Sequence, residues 1–247
     1  KREIQITADM KTPGESATDI LEDIKARVMP EITSKYATVT PLYEGQNREA
    51  KKTIDSVKII GPIILILIYL VIAFTFRSYS QPILLILLIP FSMIGVVWGH
   101  YFHNFSIGIL SWLGIIALIG IMVNDGLVLI GKFNTYLKEG MKYDEALIQA
   151  GKSRFRAIVL TSLTTIAGLA PLLLEKSRQA QFLKPMAISI SYGIAVATIL
   201  TLVLLPLLLS VSNQLKVVLK WLKTGKKVTQ EEVERAIIES KFVHDEE

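Results

Sequence analysis

The sequence contains no cysteine, so disulfides, thiolate metal sites and cysteine nucleophiles are excluded. Histidine is nearly as scarce. His100, His103 and His244 are the full set, too few and too scattered for a metal centre. The stretch Gly151–Arg156 (GKSRFR) lacks the upstream glycine and the preceding strand of a phosphate loop, so ATP-driven work is unsupported. No serine–histidine or paired-carboxylate arrangement suggests hydrolysis, and the chain does not read as an enzyme. No cofactor is implied. The net charge of +5 does not imply nucleic acid, because membrane proteins collect basic residues in cytoplasmic loops.

Long apolar runs are what the chain has in quantity. It is 51% hydrophobic with a mean hydropathy of +0.46. The runs are roughly 20 residues each, the length that crosses a hydrocarbon core about 30 Å thick. They predict five spans, at Ile59–Phe76, Ile83–Phe102, Ile107–Ile130, Ala157–Leu174 and Pro185–Val211. Lys132, Lys138, Lys142, Lys152, Arg154 and Arg156 lie between the third and fourth runs, and Lys216, Lys220, Lys223, Lys226 and Lys227 follow the fifth. The link between the fourth and fifth carries Lys176, Arg178 and Lys184, and the one between the second and third has no Lys or Arg. The positive-inside rule makes the richer side cytoplasmic, which puts the N-terminal segment in the periplasm and the C-terminus in the cytoplasm. Lys51, Lys52 and Lys58 run against the rule, but they belong to a folded segment where the bias is weaker.

Residues 1–45 are polar and read as α+β. Glu3–Met10 alternates as a strand, and Pro13-Gly14 makes a turn. Ser16 or Thr18 caps a helix to about Val28, with Ile20, Leu21, Ile24 and Val28 on one face and Pro30 just beyond. Ala37–Glu44 reads as an edge strand because of Pro41. Strand–helix–strand is half of a ferredoxin-like unit and too small to hold a core alone. Residues 46–58 form a polar connecting helix, 59–211 the transmembrane region and 212–247 a cytoplasmic tail. Within the tail, Val228–Ser240 reads as a short amphipathic helix, by default a solvated one. The chain starts at Lys1 with no signal peptide, which makes it an expected fragment of a longer protein.

Asp125 is the most informative residue. It falls inside the third run, in Gly120–Gly131 (GIMVNDGLVLIG), where a carboxylate costs at least ~2.5 kcal/mol on insertion scales. A carboxyl balanced between desolvation and a nearby cation can load and unload a proton near neutral pH. Two other readings stay open: a purely structural hydrogen bond, and a turn at Asn124-Asp125-Gly126 between half-helices.

Gly114, Ala117, Gly120 and Asn124 recur at three- and four-residue spacing, a small-residue stripe for close helix approach. Ser189, Gly193, Ala197 and Thr201 form a second seam. Thr161, Thr164, Thr165 and Gly168 give the fourth run a hydroxyl-bearing face. Thr161 is the best candidate for contact with Asp125, although threonines in membrane helices also bond back to their own carbonyls. Arg154 can add positive potential, or serve only as a solvated positive-inside arginine. Pro90 and Pro206 predict kinks. Trp98 and Tyr101 read as interfacial anchors.

These segments together resemble the resistance-nodulation-division superfamily of efflux transporters. Phe76–Pro82 (FRSYSQP), Ile89-Pro90-Phe91 with Gly95 and Gly99-His100, Gly120–Leu129, and Arg154-Phe155-Arg156 with Leu160–Thr165 and Gly168–Leu172 carry the likeness. The resemblance implies a bacterial inner-membrane permease of twelve helices in two repeated halves, powered by the proton gradient. This chain would supply the last five helices and the end of the second periplasmic porter domain. It implies a homotrimer, a periplasmic adaptor and an outer-membrane channel as partners, besides membrane lipids and the remaining N-terminal part of the same transporter. It also implies a proton relay at Asp125 and Asn124, with Thr161 and Arg154 matching relay-associated positions. The well-known drug exporters have lysine where this chain has Asn124, so the relay's charge arrangement differs here. The substrate would be a drug, another small amphiphile or a metal ion. A protein-export auxiliary of the same superfamily, or a non-transporting membrane scaffold or sensor, is the alternative.

Overall fold

The computed structural model describes residue 6 and residues 17–36, 41–43, 46–225, 228–234 and 236–238. Its long elements are α3 (Gln46–Phe76), α4 (Ser80–His103), α5 (Ile109–Lys138), α6 (Tyr143–Leu174), α7 (Arg178–Ile199) and α8 (Leu205–Thr224). Ahead of them stand α1 (Ala17–Asp23) and α2 (Met29–Lys35). There are five candidate membrane spans among the described residues, the last running from Gln179 to Thr224 through α7 and α8. No strand occurs among the described residues. The predicted strand Glu3–Met10 lies outside them except for Ile6. Of Ala37–Glu44 only residues 41–43 are described, and they are irregular.

The helices overrun the apolar runs at most ends, stop with them at Phe76 and Leu174, and begin later than predicted only at Ile109. Polarity does not stop a helix; it ends where the backbone demands it. Gly140, at φ +87, closes the α5–α6 turn, and Gly225, at φ +65, caps α8. Asn104 takes the left-handed conformation at the end of α4, as Asn tolerates better than most residues. The link between the fourth and fifth spans is accordingly only Glu175–Ser177. Arg178 and Lys184 belong to α7, whose first turn is capped by Ser177 Oγ accepting from the Ala180 N–H at 3.3 Å. In the link itself, the Ser177 and Lys176 N–H groups donate to the Glu175 carboxylate and hold its pKa below the usual carboxylate value.

Two prolines give a further correction. The predicted helix stops near Val28, yet helix continues past Pro30 to Lys35 through a π turn at Ile24–Val28. Pro206 likewise follows a π turn, at Leu200–Leu204, which joins α7 to α8. In both cases the bond closing the turn spans five residues, from Met29 N–H to Ile24 O and from Leu205 N–H to Leu200 O. The wider turn relieves the clash between the proline ring and the carbonyl four residues back.

The core lies where α4, α5 and α7 meet, around Leu88, Val96, Leu118, Met122 and Ile194. Glycines set the approach. A Cβ on Gly95 would fall 2.3 Å from the Tyr192 carbonyl oxygen, and one on Gly126 would fall 2.2 Å from Leu85. Near the α3–α4 link a buried amide pair joins α4 to α5. Gln81 Nε2 donates to Asn134 Oδ1 at 2.9 Å, and Asn134 Nδ2 donates back at 3.1 Å. Asn134→Leu would strand the Gln81 amide and cost about 1–3 kcal/mol. The Gln81→Leu/Asn134→Leu double variant should recover most of that loss in thermal unfolding of the full-length protein.

The tail corrects the expectation of a solvated helix. Glu231–Val233 is a short 3-10 turn docked on the basic end of the bundle, residues 236–238 are helical, and Ala236 is buried. Asn213 Nδ2 donates to the Gln230 carbonyl and to Glu234 Oε1, each at 2.9 Å. Lys216 Nζ reaches the same Glu234 oxygen at 3.1 Å. Glu234 is 3% exposed, and a carboxylate so buried is tolerable only with such partners. Glu234→Ala should release the tail at a cost of about 1–3 kcal/mol. Faster proteolysis after Gly225 would register the release.

Candidate functional site

Asp125 sits on α5, which runs unbroken from Ile109 to Lys138. That excludes the turn reading of Asn124-Asp125-Gly126. Gly126 fixes the rotation of this stretch: lacking a Cβ, it lies buried against Leu85 of α4. Asp125 is thereby turned to the rim, half-buried, and Asn124 is exposed. Neither has a hydrogen-bond or ion-pair partner among the described residues.

The structure also gives the depth of the neighbouring candidates. By the helical rise, Asp125 lies about 20 Å from the Lys138 end of α5, while Arg154 lies about 17 Å and Thr161 about 27 Å from the Tyr143 start of α6. Arg154 therefore lies closer than Thr161 to the basic end. Arg154 is half-buried, and its Nε is enclosed with no hydrogen-bond partner. The Thr161 hydroxyl donates to the Ala157 carbonyl at 2.9 Å, the Thr164 hydroxyl to the Leu160 carbonyl at 2.9 Å and the Thr165 hydroxyl to the Thr161 carbonyl at 2.8 Å. These are the back-bonded arrangements of the second reading. Among the described serines and threonines of α6, the hydroxyl that reaches another helix is one the sequence did not single out: Ser162 Oγ, 2.5 Å from Thr198 Oγ1 of α7.

The small-residue stripe of α5 divides. Gly114 is buried against Met186 and Ser189 of α7, whereas a Cβ on Gly120 would meet open space, and Ala117 is exposed. Steps of three residues rotate a stripe by about 60° each, which carries Ala117 and Gly120 off the buried face. Gly193 of α7 packs on Leu118 of α5, while Gly168 of α6 opens on space. Ala117, Gly120 and Asn124 on α5, with Thr161, Thr164 and Gly168 on α6, therefore form exposed small and polar positions on membrane-length helices.

Over residues 1–212 the sequence matches the AcrB/AcrD/AcrF family. The chain belongs to that family, and so to the resistance-nodulation-division transporters. Among relatives, it is 33% identical over 59% of its length to the swarming motility protein SwrC of Bacillus subtilis, covering 14% of that protein. It is 27% identical over 84% of its length to the nickel and cobalt resistance protein CnrA of Cupriavidus metallidurans, covering 19% of it. The multidrug resistance protein MdtC of Proteus mirabilis is 27% identical over 69% of this chain, 17% of its own length. A crystal structure of a heavy metal efflux pump superposes with a TM-score of 0.66 at 23% identity, covering 81% of this chain and 20% of that one. The chain thus spans about a fifth or less of the length of each of these proteins.

Proposed function

We propose that this chain is the C-terminal part of an inner-membrane efflux permease that exports drugs, other small amphiphiles or metal ions in exchange for protons. In this reading Asp125 carries the coupled proton, Asn124 lines its site, and Arg154 sets the local potential. Thr161 contributes a hydroxyl once its back-bond opens. One observation carries the reading: an unpaired carboxylate at mid-depth of a membrane-length helix, on the rim of the bundle. Such a group is expensive in hydrocarbon and is retained where it faces a bundle interior or a wet cavity. The exposed α5–α6 face is then the surface that meets the remaining N-terminal part of the transporter, and the basic α5–α6 turn is cytoplasmic. Assembly as a homotrimer with a periplasmic adaptor and an outer-membrane channel completes the proposal.

The test is export by the full-length transporter in proteoliposomes under an imposed pH gradient, wild type against Asp125→Asn at matched insertion. Ethidium and Co2+ serve as probes, chosen from the chemistries in the relatives' names. Gradient-driven export by wild type and none by the variant supports the reading. Equal export by both removes Asp125 from the coupling path.

A further inference from the structure

At the opposite end of the bundle from the basic turn, a second polar cluster joins α4, α5 and α7. His100, 3% exposed, has its Nε2 2.6 Å from Ser111 Oγ of α5. Three residues on, His103 Nε2 lies 3.1 Å from the Tyr192 hydroxyl of α7. Sequence features place these groups. Gly99 has no Cβ, so the Tyr192 ring lies against α4. Ser111 stands in the first turn of α5, where its Oγ also accepts the Gly108 N–H at 3.2 Å.

The other imidazole nitrogen, His100 Nδ1, is fully buried and has no partner. Tautomer choice does not remove the problem. If Ser111 donates to Nε2, the proton sits on Nδ1 as an unmet donor. If Nε2 donates to Ser111, Nδ1 is an unmet acceptor. Either state carries the desolvation penalty of an unmet buried polar atom, which a purely packing residue at this position would avoid. Ser189 Oγ of α7 is buried and unpartnered too, beside Gly114 and one turn below Ser111. The ionisable groups on the surrounding elements are few. They are Tyr101 and His103 on α4, and Arg178, the buried Lys184 and Tyr192 on α7, with Glu175 and Lys176 in the link before α7. The stretch from Ile107 to Leu118, which leads into the first turns of α5, has none. At this end of α3, Asp55 and Lys58 pair with each other at 3.5 Å. No group of three or more potential metal ligands occurs among the described residues; a water bonded to Nδ1 would both satisfy that nitrogen and bring a proton to it.

We infer that His100 is a second proton-binding residue of the transport cycle, with Ser111 positioning its ring and the His103–Tyr192 pair standing one turn beyond. It lies about 21 Å along the bundle from Asp125, measured as the rise from Ser111 on α5. This inference rests on the proton-coupled reading above. In the orientation proposed there, His100 belongs to the periplasmic end, where protons enter.

The experiment uses the full-length transporter in proteoliposomes and follows ethidium and Co2+ export while the pH on the periplasmic side is varied from roughly 5 to 8, the range in which imidazole changes charge. His100→Gln should lose the pH dependence of export in that range. Ser111→Ala should retain it with the midpoint moved by about one unit. A His100→Gln profile that superimposes on wild type overturns the inference. If that variant does not fold, an unmoved midpoint in Ser111→Ala overturns it alone. Wild type that exports neither probe under a proton gradient defeats the proposed function instead. Loss of export in Asp125→Asn with an unchanged His100→Gln profile defeats only the present inference.

Discussion

Asp125→Asn in the full-length transporter should reduce gradient-driven export to the leak of protein-free vesicles, while the protein inserts and folds at least as well as wild type. The two effects have opposite signs for one reason. Asn keeps the size and polarity of Asp but cannot bind and release a proton, so any step that needs that change of charge stops. The same replacement removes the cost of holding a carboxylate in the membrane, at least ~2.5 kcal/mol on insertion scales. A purely structural hydrogen-bonding role predicts the reverse, with export kept and stability lowered. Asp125→Glu keeps the titrating group on a longer arm and should retain part of the export. Vesicle export assays, with thermal unfolding of the same preparations, separate these outcomes.

The largest stability loss is expected from Tyr143→Ala, about 3–5 kcal/mol, as for other large buried aromatics. Tyr143 is 1% exposed and ties four elements together at the basic end. Its hydroxyl donates to the Leu209 carbonyl of α8 at 2.8 Å, and its N–H donates to Glu231 Oε1 of the tail at 3.1 Å. Its ring stacks edge-on against Phe133 of α5, with centroids 5.3 Å apart. Tyr143→Phe keeps the ring and loses only the bond to Leu209, so it should cost about 1 kcal/mol. Thermal unfolding of the full-length protein measures both.

The spans were legible because hydrocarbon demands long uninterrupted apolar runs, and nothing else in this sequence looks like one. The ends at Phe76 and Leu174 were legible too, but most others were not, because helix continues through polar residues until Gly140, Asn104 or Gly225 takes the left-handed conformation. Pro30 and Pro206 read as a stop and a kink. Neither reading foresaw the π turns that carry helix past both. Asp125 stood out as one carboxylate against an apolar background. Tyr143 and Glu234 did not, since what distinguishes them is partners far along the chain, Leu209 for one and Asn213 with Lys216 for the other. His100 was visible as one of too few histidines for a metal and, with Gly99, as part of the family resemblance. Its buried, half-satisfied ring depends on Ser111 arriving from α5, which no local pattern announces. The back-bonded threonines show the converse: their spacing was read correctly, but spacing does not say which way a hydroxyl turns.

The central claim is that Asp125 carries the proton that drives transport. It is tested most directly by the luminal pH of proteoliposomes containing the full-length transporter, followed with an entrapped fluorescent pH dye when ethidium or Co2+ is added under an imposed gradient. The account predicts substrate-triggered proton movement in wild type and none in Asp125→Asn. Equal proton movement in both would contradict it.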